Sequence, residues 1–403
     1  MKNLASNRRV VITGLGAVTC MGHDVPSFWQ RLIAGEGGIG PITKFDTTGY
    51  RNNLGGQVWD WDFAKYDLGD PKAIDEATQF ALVATREALS DAGIESPDAA
   101  GYDPCRSGAA LSTNFGGASS WERFCESGEG WAFREFAFDT AIAHVCRRFG
   151  LRGPSTLLSI SCASGTASIG AAFDLIRYGH ADLMVAGGHD SLSHSSLSGL
   201  SILRTISPTT IRPFDARRDG TIFGEGAAMV VLEPLERAKA RGATIYGEVA
   251  GYWQNNNAYH LTAPDKEGEG MVRIIVRALD DAGVVPTDIH YINAHGTATR
   301  YHDPTEVKAI KTVLGDWAYD IPVSSIKGAV SHIMGGAGTI EAIATLLAMR
   351  DAVVPPTINY GEPDPECDLD CVPNEAREQT VNCALSISAG IGGSNAAVVL
   401  KSV

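Results

Sequence analysis

The chain has 403 residues, 44% of them hydrophobic and 20% charged, proportions that are typical of a globular protein and exclude a disordered one. Its 33 Lys and Arg residues against 47 Asp and Glu residues give a net charge of −14, which argues against binding to nucleic acid or to an anionic membrane. No apolar run approaches the about 18 residues of a membrane span, and the first residues lack the apolar core of a signal peptide. We therefore expect a cytoplasmic protein with neither a membrane nor a nucleic-acid partner.

Short apolar runs rich in β-branched residues alternate with alanine-rich segments along the whole chain. The apolar runs predict buried strands at 10–12, 157–160, 183–186, 229–232 and 397–400. The alanine-rich segments predict helices at 75–92, 165–179, 269–283 and 336–351. In the last helix Ile340, Ile343 and Leu347 share one apolar stripe. Strands that are apolar on both faces and separated by helices indicate an α/β protein with layered sheets.

A change in composition at 235–242 divides the chain into two predicted halves, 1–240 and 241–403. Each half opens with a strand that ends in glycine, and each later has a strand that runs into a turn of small residues. This pattern is compatible with an internal duplication and equally with chance.

Cys162 lies where a predicted strand runs directly into a predicted helix, in the sequence S-I-S-C-A-S-G. A thiol at a helix N-terminus is exposed to the positive end of the helix dipole, which lowers the thiol pKa and favours the thiolate nucleophile. The small residues that follow leave room for a substrate, and the Cys162 amide can donate to an oxyanion. A buried structural cysteine is the alternative interpretation.

Two histidines stand at the ends of later predicted strands. His295 ends an apolar strand and is followed by Gly296, at the edge where ligands bind α/β sheets. His332 follows Lys327 by five residues in a loop of small residues before a helix. Taken alone, a core histidine and a solvated loop lysine explain these residues equally well. The glycine turn at 386–395 could aim amides into a site or be a plain hairpin.

Other chemistry-bearing residues form no convincing site. The eight cysteines are dispersed, as expected for reduced thiols, and Cys367 and Cys371 lack a second Cys or His pair nearby. There is no H-E-x-x-H sequence, so we predict no metal site. The run His189-Asp190-Ser191 has the residue types of a catalytic triad, but consecutive side chains cannot align as nucleophile, base and orienting group.

Taken together, the segments resemble the condensing enzymes of type II elongation, the β-ketoacyl-acyl-carrier-protein synthases. The matching sequences are R-V-V-I-T-G-L-G-A-V-T near the start, R-P-F-D-A-R-R-D-G and F-G-E-G-A-A in the middle, and A-Y-H-L-T-A-P-D further on. The family's Cys, His and His occur in the right order, each in matching context. The resemblance covers nearly the whole chain and implies a thiolase-like fold, in which two duplicated halves form αβαβα layers and the protein assembles as a dimer.

The resemblance also assigns catalytic roles. It makes Cys162 the acyl-accepting nucleophile, while His295 and His332 bind the malonyl thioester and stabilise the enolate formed on decarboxylation. Lys327 and Glu306 resemble the supporting charged pair.

Further positions follow from the same resemblance. The amides of Cys162 and Ile391 correspond to the oxyanion hole, and Ala389 and Ile391 replace the phenylalanines that usually gate the site. The residues expected to contact the pantetheine arm or the malonyl carbonyl are Thr262, Thr297 and Thr299. Substrates are carried on the phosphopantetheine of an acyl-carrier protein, and no other cofactor is implied.

Several departures indicate a specialised member, of a polyketide or polyene type, as readily as a fatty-acid enzyme. Phe115 stands where an aliphatic residue usually lines the acyl tunnel, so we expect it to narrow one branch while Ala389 and Ile391 widen another. Basic residues that could dock the acidic carrier protein are few, with Arg204 and Lys72 the best candidates. The dimer partner is either a second copy or a chain-length-factor-like subunit.

Two other functions remain as alternatives. A coenzyme A thiolase usually has a second cysteine in the C-terminal glycine turn, and 388–395 contains none. A non-catalytic chain-length subunit usually lacks the nucleophile, which Cys162 supplies here. Both alternatives are therefore less well supported than the synthase.

Overall fold

The protein is described by a computed structural model that covers residues 8–403. Within this range the strands are β1 (Val10–Val18), β2 (Gly40–Pro41), β3 (Leu54–Gly55), β4 (Ser107–Ser112), β5 (Ser155–Leu158), β6 (Leu183–Asp190), β7 (Gly226–Pro234), β8 (Gly247–Asn256), β9 (Tyr291–Asn293), β10 (Val323–Ser324), β11 (Val353–Val354), β12 (Arg377–Glu378), β13 (Cys383–Ala389) and β14 (Ser394–Lys401). The α-helices are α1 (Val25–Ile33), α2 (Glu76–Asp91), α3 (Ala118–Ser127), α4 (Gly130–Glu135), α5 (Thr140–Phe149), α6 (Ser164–Arg177), α7 (His194–Ile202), α8 (Leu235–Ala240), α9 (Glu269–Ala282), α10 (His302–Leu314), α11 (Lys327–Val330) and α12 (Ala337–Asp351).

Ten strands form one mixed sheet in the order β10-β9-β13-β14-β8-β1-β7-β6-β4-β5. Along the chain, the first five strands of this sheet are β1, β4, β5, β6 and β7, and the second five are β8, β9, β10, β13 and β14. Counted from the outer edge of the sheet inward, each set has the order third, second, fourth, fifth and first. In both sets the first two pairings from the outer edge are parallel and the next two antiparallel. The two sets meet where β1 pairs with β8. The topology therefore confirms the duplicated architecture.

Helices cover the two repeats in layers. The helix α2 packs against β1 and β7 on one side, α6 and α12 pack on each other in the centre, and α9 packs against β8 and β14 on the far side. The largest apolar cluster combines residues of α6, α12 and strands of both repeats. Separate clusters lie under α2 and under α9 with α10. This αβαβα arrangement confirms the predicted fold class.

The predicted helices agree with the observed ones to within about two residues, whereas two predicted burial patterns differ. The helix α12 is buried on every side and not on one stripe, because it lies between the two halves of the sheet. The strand predicted at 157–160 is β5, which ends at Leu158 and is only half-buried. It lies at the end of the sheet and pairs only with β4, so one of its edges is open.

Close contact between the two central helices depends on glycine. A Cβ atom on Gly165 would lie 2.8 Å from the backbone nitrogen of Thr339, and one on Gly338 would lie 2.2 Å from Oγ1 of Thr166. Both distances are shorter than real Cβ contacts, so larger residues would force the helices apart. These glycines allow the N-termini of α6 and α12 to meet, which brings the chain around Cys162 close to the loop that contains His332.

The connection between the repeats is α8, which ends at residue 240. The division into 1–240 and 241–403 stays a prediction, since one continuous sheet spans both parts. Of the residues that the structure covers, none belongs to a helix with the length and apolar character needed to cross a bilayer.

Candidate active site

Cys162 lies in a tight turn between β5 and α6. The residue before it, Ser161, has a positive φ of 59°, and the side chain of Ser164 fixes the turn. Its Oγ accepts a hydrogen bond from the backbone N–H of Ile160 at 2.8 Å and donates one to the carbonyl of Ser161 at 2.6 Å. The turn holds Cys162 just before the helix, with only 7% of the residue exposed.

The expected low pKa of the Cys162 thiol is wrong. Burial raises the pKa of the Cys162 thiol above its ordinary value. The hydroxyl of Ser161, the charge of Lys327 and the amide of Ile391 lower that pKa but do not reverse the direction. Loss of solvation outweighs the helix terminus because the sulfur lies inside the protein, so the resting site holds a thiol.

The structure brings both predicted histidines to this sulfur. His295 follows β9 and His332 follows β10, and one nitrogen of each ring lies within 4.8 Å of the other and of Sγ of Cys162. The two rings are 5.5 Å apart between centroids and nearly perpendicular. These three residues are the only group of three or more potential metal ligands in residues 8–403, and the absence of a metal stays a prediction.

The partners of the two imidazoles fix their tautomers. The backbone N–H of Met334 donates to Nδ1 of His332 at 3.1 Å, and Nζ of Lys327 lies 3.2 Å from Nδ1 of His295. Because an amide and an ammonium group can only donate, both Nδ1 atoms accept and both Nε2 atoms carry hydrogen. Burial, followed by the Lys327 charge, lowers the pKa of both rings well below the usual histidine value. The site therefore presents two neutral imidazoles with N–H donors.

The predicted pairing of Lys327 with Glu306 is wrong. Nζ of Lys327 donates to the carbonyl of His295 at 2.6 Å and to Glu341, which lies in the second turn of α12. Glu306 instead accepts from the backbone N–H groups of His295 at 2.7 Å and Gly296 at 2.8 Å. Glu306 thus supports the backbone of His295, while Lys327 supports its ring.

Two residues near the site were missed by the sequence reasoning. Glu341 is the one charged residue within the buried stretch 337–348, and a carboxylate in such a buried helix signals a buried cationic partner. Burial raises the pKa of Glu341 to about 7, and the neighbouring Lys327 opposes this shift. His302 lines a cavity together with His295 and His332, and its ring centroid is 5.0 Å from that of His295. The sequence assigned His302 no role in the site.

The glycine turn packs directly on the cysteine turn. A Cβ atom on Gly390 would lie 3.1 Å from the backbone nitrogen of Cys162, and the Ile391 amide is close enough to Sγ to lower the thiol pKa. Ala389 and Ile391 both line the cavity that contains His295 and His332. The two amides predicted to form an oxyanion hole therefore both lie near the sulfur.

Cys162 lies between two cavities. The first contains both histidines and all three threonines expected to contact the pantetheine arm, namely Thr262, Thr297 and Thr299. The second, of about 330 Å³, contains Phe115 on its wall. Four residues line both cavities, namely Cys162, Phe223, Ile391 and Gly392. The sulfur of Cys162 is therefore accessible from two distinct cavities.

The two docking candidates are placed differently. Arg204 is exposed and precedes Thr205, which lines the first cavity. Lys72 is exposed in the loop before α2, and its neighbours Pro71 and Ala73 line other cavities that do not contain Cys162. Within one chain the structure therefore brings Arg204, but not Lys72, to the mouth of the site.

Comparison with known proteins places this geometry in a family. The N-terminal domain of β-ketoacyl synthases matches residues 7–238, and the C-terminal domain of the same enzymes matches residues 246–361. The chain belongs to the β-ketoacyl synthase family. The predictions that it is a condensing enzyme and an acyltransferase are thereby confirmed.

Relatives of this synthase include both 3-oxoacyl-[acyl-carrier-protein] synthases and a polyketide beta-ketoacyl synthase. It is 41% identical to 3-oxoacyl-[acyl-carrier-protein] synthase 2 of Staphylococcus aureus, with 99% of each chain covered. It is 43% identical to putative polyketide beta-ketoacyl synthase 1 of Streptomyces cyaneus, with 98% of each covered. The similarity therefore extends over the whole synthase in both cases.

Solved structures agree over the same length. A ketosynthase bound to a hexaketide, in complex with its type II polyketide acyl-carrier protein, has a TM-score of 0.91 and 34% identity, with 99% of this chain and 100% of the other covered. The ishigamide ketosynthase/chain length factor has a TM-score of 0.92 and 35% identity, with the same coverage.

Proposed function

We propose that this synthase condenses a malonyl unit on an acyl-carrier protein with an acyl chain held on Cys162, releasing carbon dioxide and forming a 3-oxoacyl-acyl-carrier protein. The observation that carries this proposal is the convergence of Cys162, His295 and His332 within 4.8 Å, between two cavities. Such a reaction serves fatty-acid or polyketide synthesis.

In the first half-reaction the sulfur of Cys162 attacks the carbonyl carbon of an acyl thioester. The amides of Cys162 and Ile391 donate to the oxygen that becomes negative in the tetrahedral intermediate. The pantetheine thiolate leaves and takes up the proton that the thiol loses. The acyl chain stays on Cys162 and occupies the cavity beside Phe115, which we expect to limit its length.

In the second half-reaction the malonyl thioester enters the cavity of the threonines. Its carboxylate leaves as carbon dioxide, and the electron pair moves to the thioester oxygen as an enolate. The Nε2–H groups of His295 and His332 stabilise that oxygen, and the loss of one such donor costs about 3 kcal/mol. The enolate carbon then attacks the acyl carbonyl on Cys162, and the released thiolate regains a proton from solvent. Thioester and phosphopantetheine chemistry suffice for these steps, so we propose no further cofactor.

Acylation of the protein tests this proposal and separates it from the alternatives. The synthase is incubated with acyl-acyl-carrier protein, and the site of the adduct is located by mass spectrometry. We expect an acyl adduct on Cys162, none in Cys162→Ala, and an unchanged adduct in Cys125→Ala, which removes an exposed thiol. Addition of malonyl-acyl-carrier protein then releases the adduct as a 3-oxoacyl product.

Absence of any adduct would mean a non-catalytic chain-length subunit. Cleavage of 3-oxoacyl coenzyme A without carrier-protein extension would mean a thiolase.

We further propose that the synthase acts as a dimer joined through β5. The open edge of this strand offers unpaired backbone groups that a second copy or a chain-length-factor-like subunit can extend. The acidic carrier protein would approach the first cavity past Arg204.

A further inference from the structure

Asp190 is a buried carboxylate that the proposed chemistry does not use. It is the last residue of β6, is fully buried, and belongs to the His189-Asp190-Ser191 run that cannot act as a triad. Burial raises the pKa of Asp190 to about 6. A buried carboxylate is costly unless its oxygens are satisfied, so its partners define its role.

Those partners belong to two separate segments of the chain. Oδ1 accepts hydrogen bonds from Oγ1 of Thr113 at 2.6 Å and from the N–H of Phe115 at 3.0 Å. Oδ2 accepts one from the N–H of Gly335 at 2.7 Å. The N–H of Asn114 lies between the two oxygens, 3.1 and 3.0 Å from them.

Each segment forms part of a different half of the site. Asn114 and Phe115 line the cavity proposed for the acyl chain. Gly335 follows Met334, whose N–H fixes the ring of His332 through Nδ1. One carboxylate therefore connects the wall of the acyl pocket to the loop that orients a catalytic imidazole.

Close packing leaves this connection little freedom. A Cβ atom on Gly188 would lie 2.1 Å from the carbonyl oxygen of Gly335, and one on Gly335 would lie 2.8 Å from Oδ2 of Asp190. The hydroxyl of Ser112 also donates to the carbonyl of Gly335 at 3.1 Å. The backbone of the His332 loop thus rests directly on β4 and β6.

We propose that Asp190 is a positioning residue that holds the acyl pocket and His332 in one fixed arrangement. The acyl carbonyl on Cys162 and the enolate held by His332 then meet in a constant geometry. This inference rests on the proposed function, because it assigns the two segments to the two substrates.

The substitution Asp190→Asn tests it. An amide keeps one acceptor oxygen and turns an NH2 group toward a backbone N–H donor, so either the Gly335 bond or the Phe115 bond is lost. We expect kcat for condensation to fall roughly 10- to 100-fold, while alkylation of Cys162 by iodoacetamide stays within about twofold of the unsubstituted protein. Asp190→Glu restores a carboxylate and recovers part of the activity.

The matched control is Asp75→Asn. Asp75 is also fully buried and also accepts from backbone N–H groups, those of Ala77 and Ser120, but it does not line the cavities at Cys162. We expect this variant to lose stability without a comparable loss of kcat. An equal loss of kcat in both variants would overturn the inference, as would a loss of Cys162 alkylation in step with kcat.

Hydrogen exchange gives a readout that is independent of activity. In Asp190→Asn we expect faster amide hydrogen exchange in both segments, 113–116 and 333–336. In the control Asp75→Asn we expect the exchange rates of both segments to stay unchanged. Unchanged exchange in either segment of Asp190→Asn would overturn the inference. If the unsubstituted protein forms no 3-oxoacyl product, the proposed function fails, while the exchange experiment still decides whether Asp190 holds the two segments.

Discussion

At the level of single residues, Cys162 presents a nucleophile whose reactivity depends on burial. Because burial raises the pKa of its thiol, the thiolate fraction keeps increasing with pH beyond the value of about 8.5 that is typical of an exposed cysteine. We expect the rate of Cys162 alkylation by iodoacetamide to rise throughout pH 7–9 without a plateau. Mass spectrometry of the peptide containing Cys162 measures that rate, and exposed Cys125 in the same sample gives the reference profile.

A plateau near neutral pH would contradict this expectation and would indicate a preformed thiolate. The imidazoles of His295 and His332 stay neutral over the same pH range, because neither ring gains a proton until the pH falls well below the usual histidine pKa.

The Lys327–Glu341 pair allows structural and catalytic roles to be separated. Lys327→Met leaves the Glu341 carboxylate buried without its cation, which costs about 3–5 kcal/mol of unfolding free energy. The double substitution Lys327→Met with Glu341→Leu removes both charges and recovers much of that stability. We expect condensation to remain impaired in the double variant, because Nδ1 of His295 has lost its donor.

Thermal unfolding and kcat, measured on both variants and on the unsubstituted protein, check this prediction. Recovery of kcat together with stability would show that the pair is only structural.

At the level of elements, the central helices determine how closely the two repeats approach. We expect Gly165→Val to lower the free energy of unfolding by about 1–3 kcal/mol and to reduce condensation, because the added atoms displace α6 from α12. Gly199→Ala in α7 is the control, since nothing lies within 4 Å of the Cβ it would add. That substitution should raise stability by about 0.5–1 kcal/mol. Urea unfolding of both variants measures the difference.

The elements show which parts of the structure the sequence could predict. Helices such as α2 and α9 are long and strongly patterned, so local sequence was sufficient to locate them. The full burial of α12 and the open edge of β5 depend on neighbours that are distant in the chain. The same limit applies to the site: Cys162 and both histidines stood out by their local context, whereas the pairing of Lys327 with Glu341 required the position of α12.

At the level of the whole molecule, the open edge of β5 predicts the assembly. The carbonyls of Pro154 and Leu158 accept bonds from the neighbouring strand, so the amide of Leu157 points away from it. Leu157→Pro removes that outward donor, and Leu157→Val is the control for the change of side chain, which packs against the core. We expect the unsubstituted protein and Leu157→Val to sediment as dimers, and Leu157→Pro as a single chain of 42.6 kDa.

A dimeric Leu157→Pro variant would contradict pairing through β5. A monomeric unsubstituted protein that dimerises only with a second, related subunit would identify the partner as heteromeric.

The repeated strand order has a consequence for the origin of the catalyst. Cys162 follows β5, the third strand of the first repeat, and His332 follows β10, the third strand of the second. Equivalent strand ends of the two repeats thus carry different chemical groups, a thiol in the first repeat and an imidazole in the second. In the proposed reaction, a protein built from two first repeats would have two nucleophilic cysteines but no histidines to stabilise the enolate. A protein built from two second repeats would have the histidines but no cysteine to carry the acyl chain. Under the proposed function, each repeat therefore depends on the other for a group that it lacks.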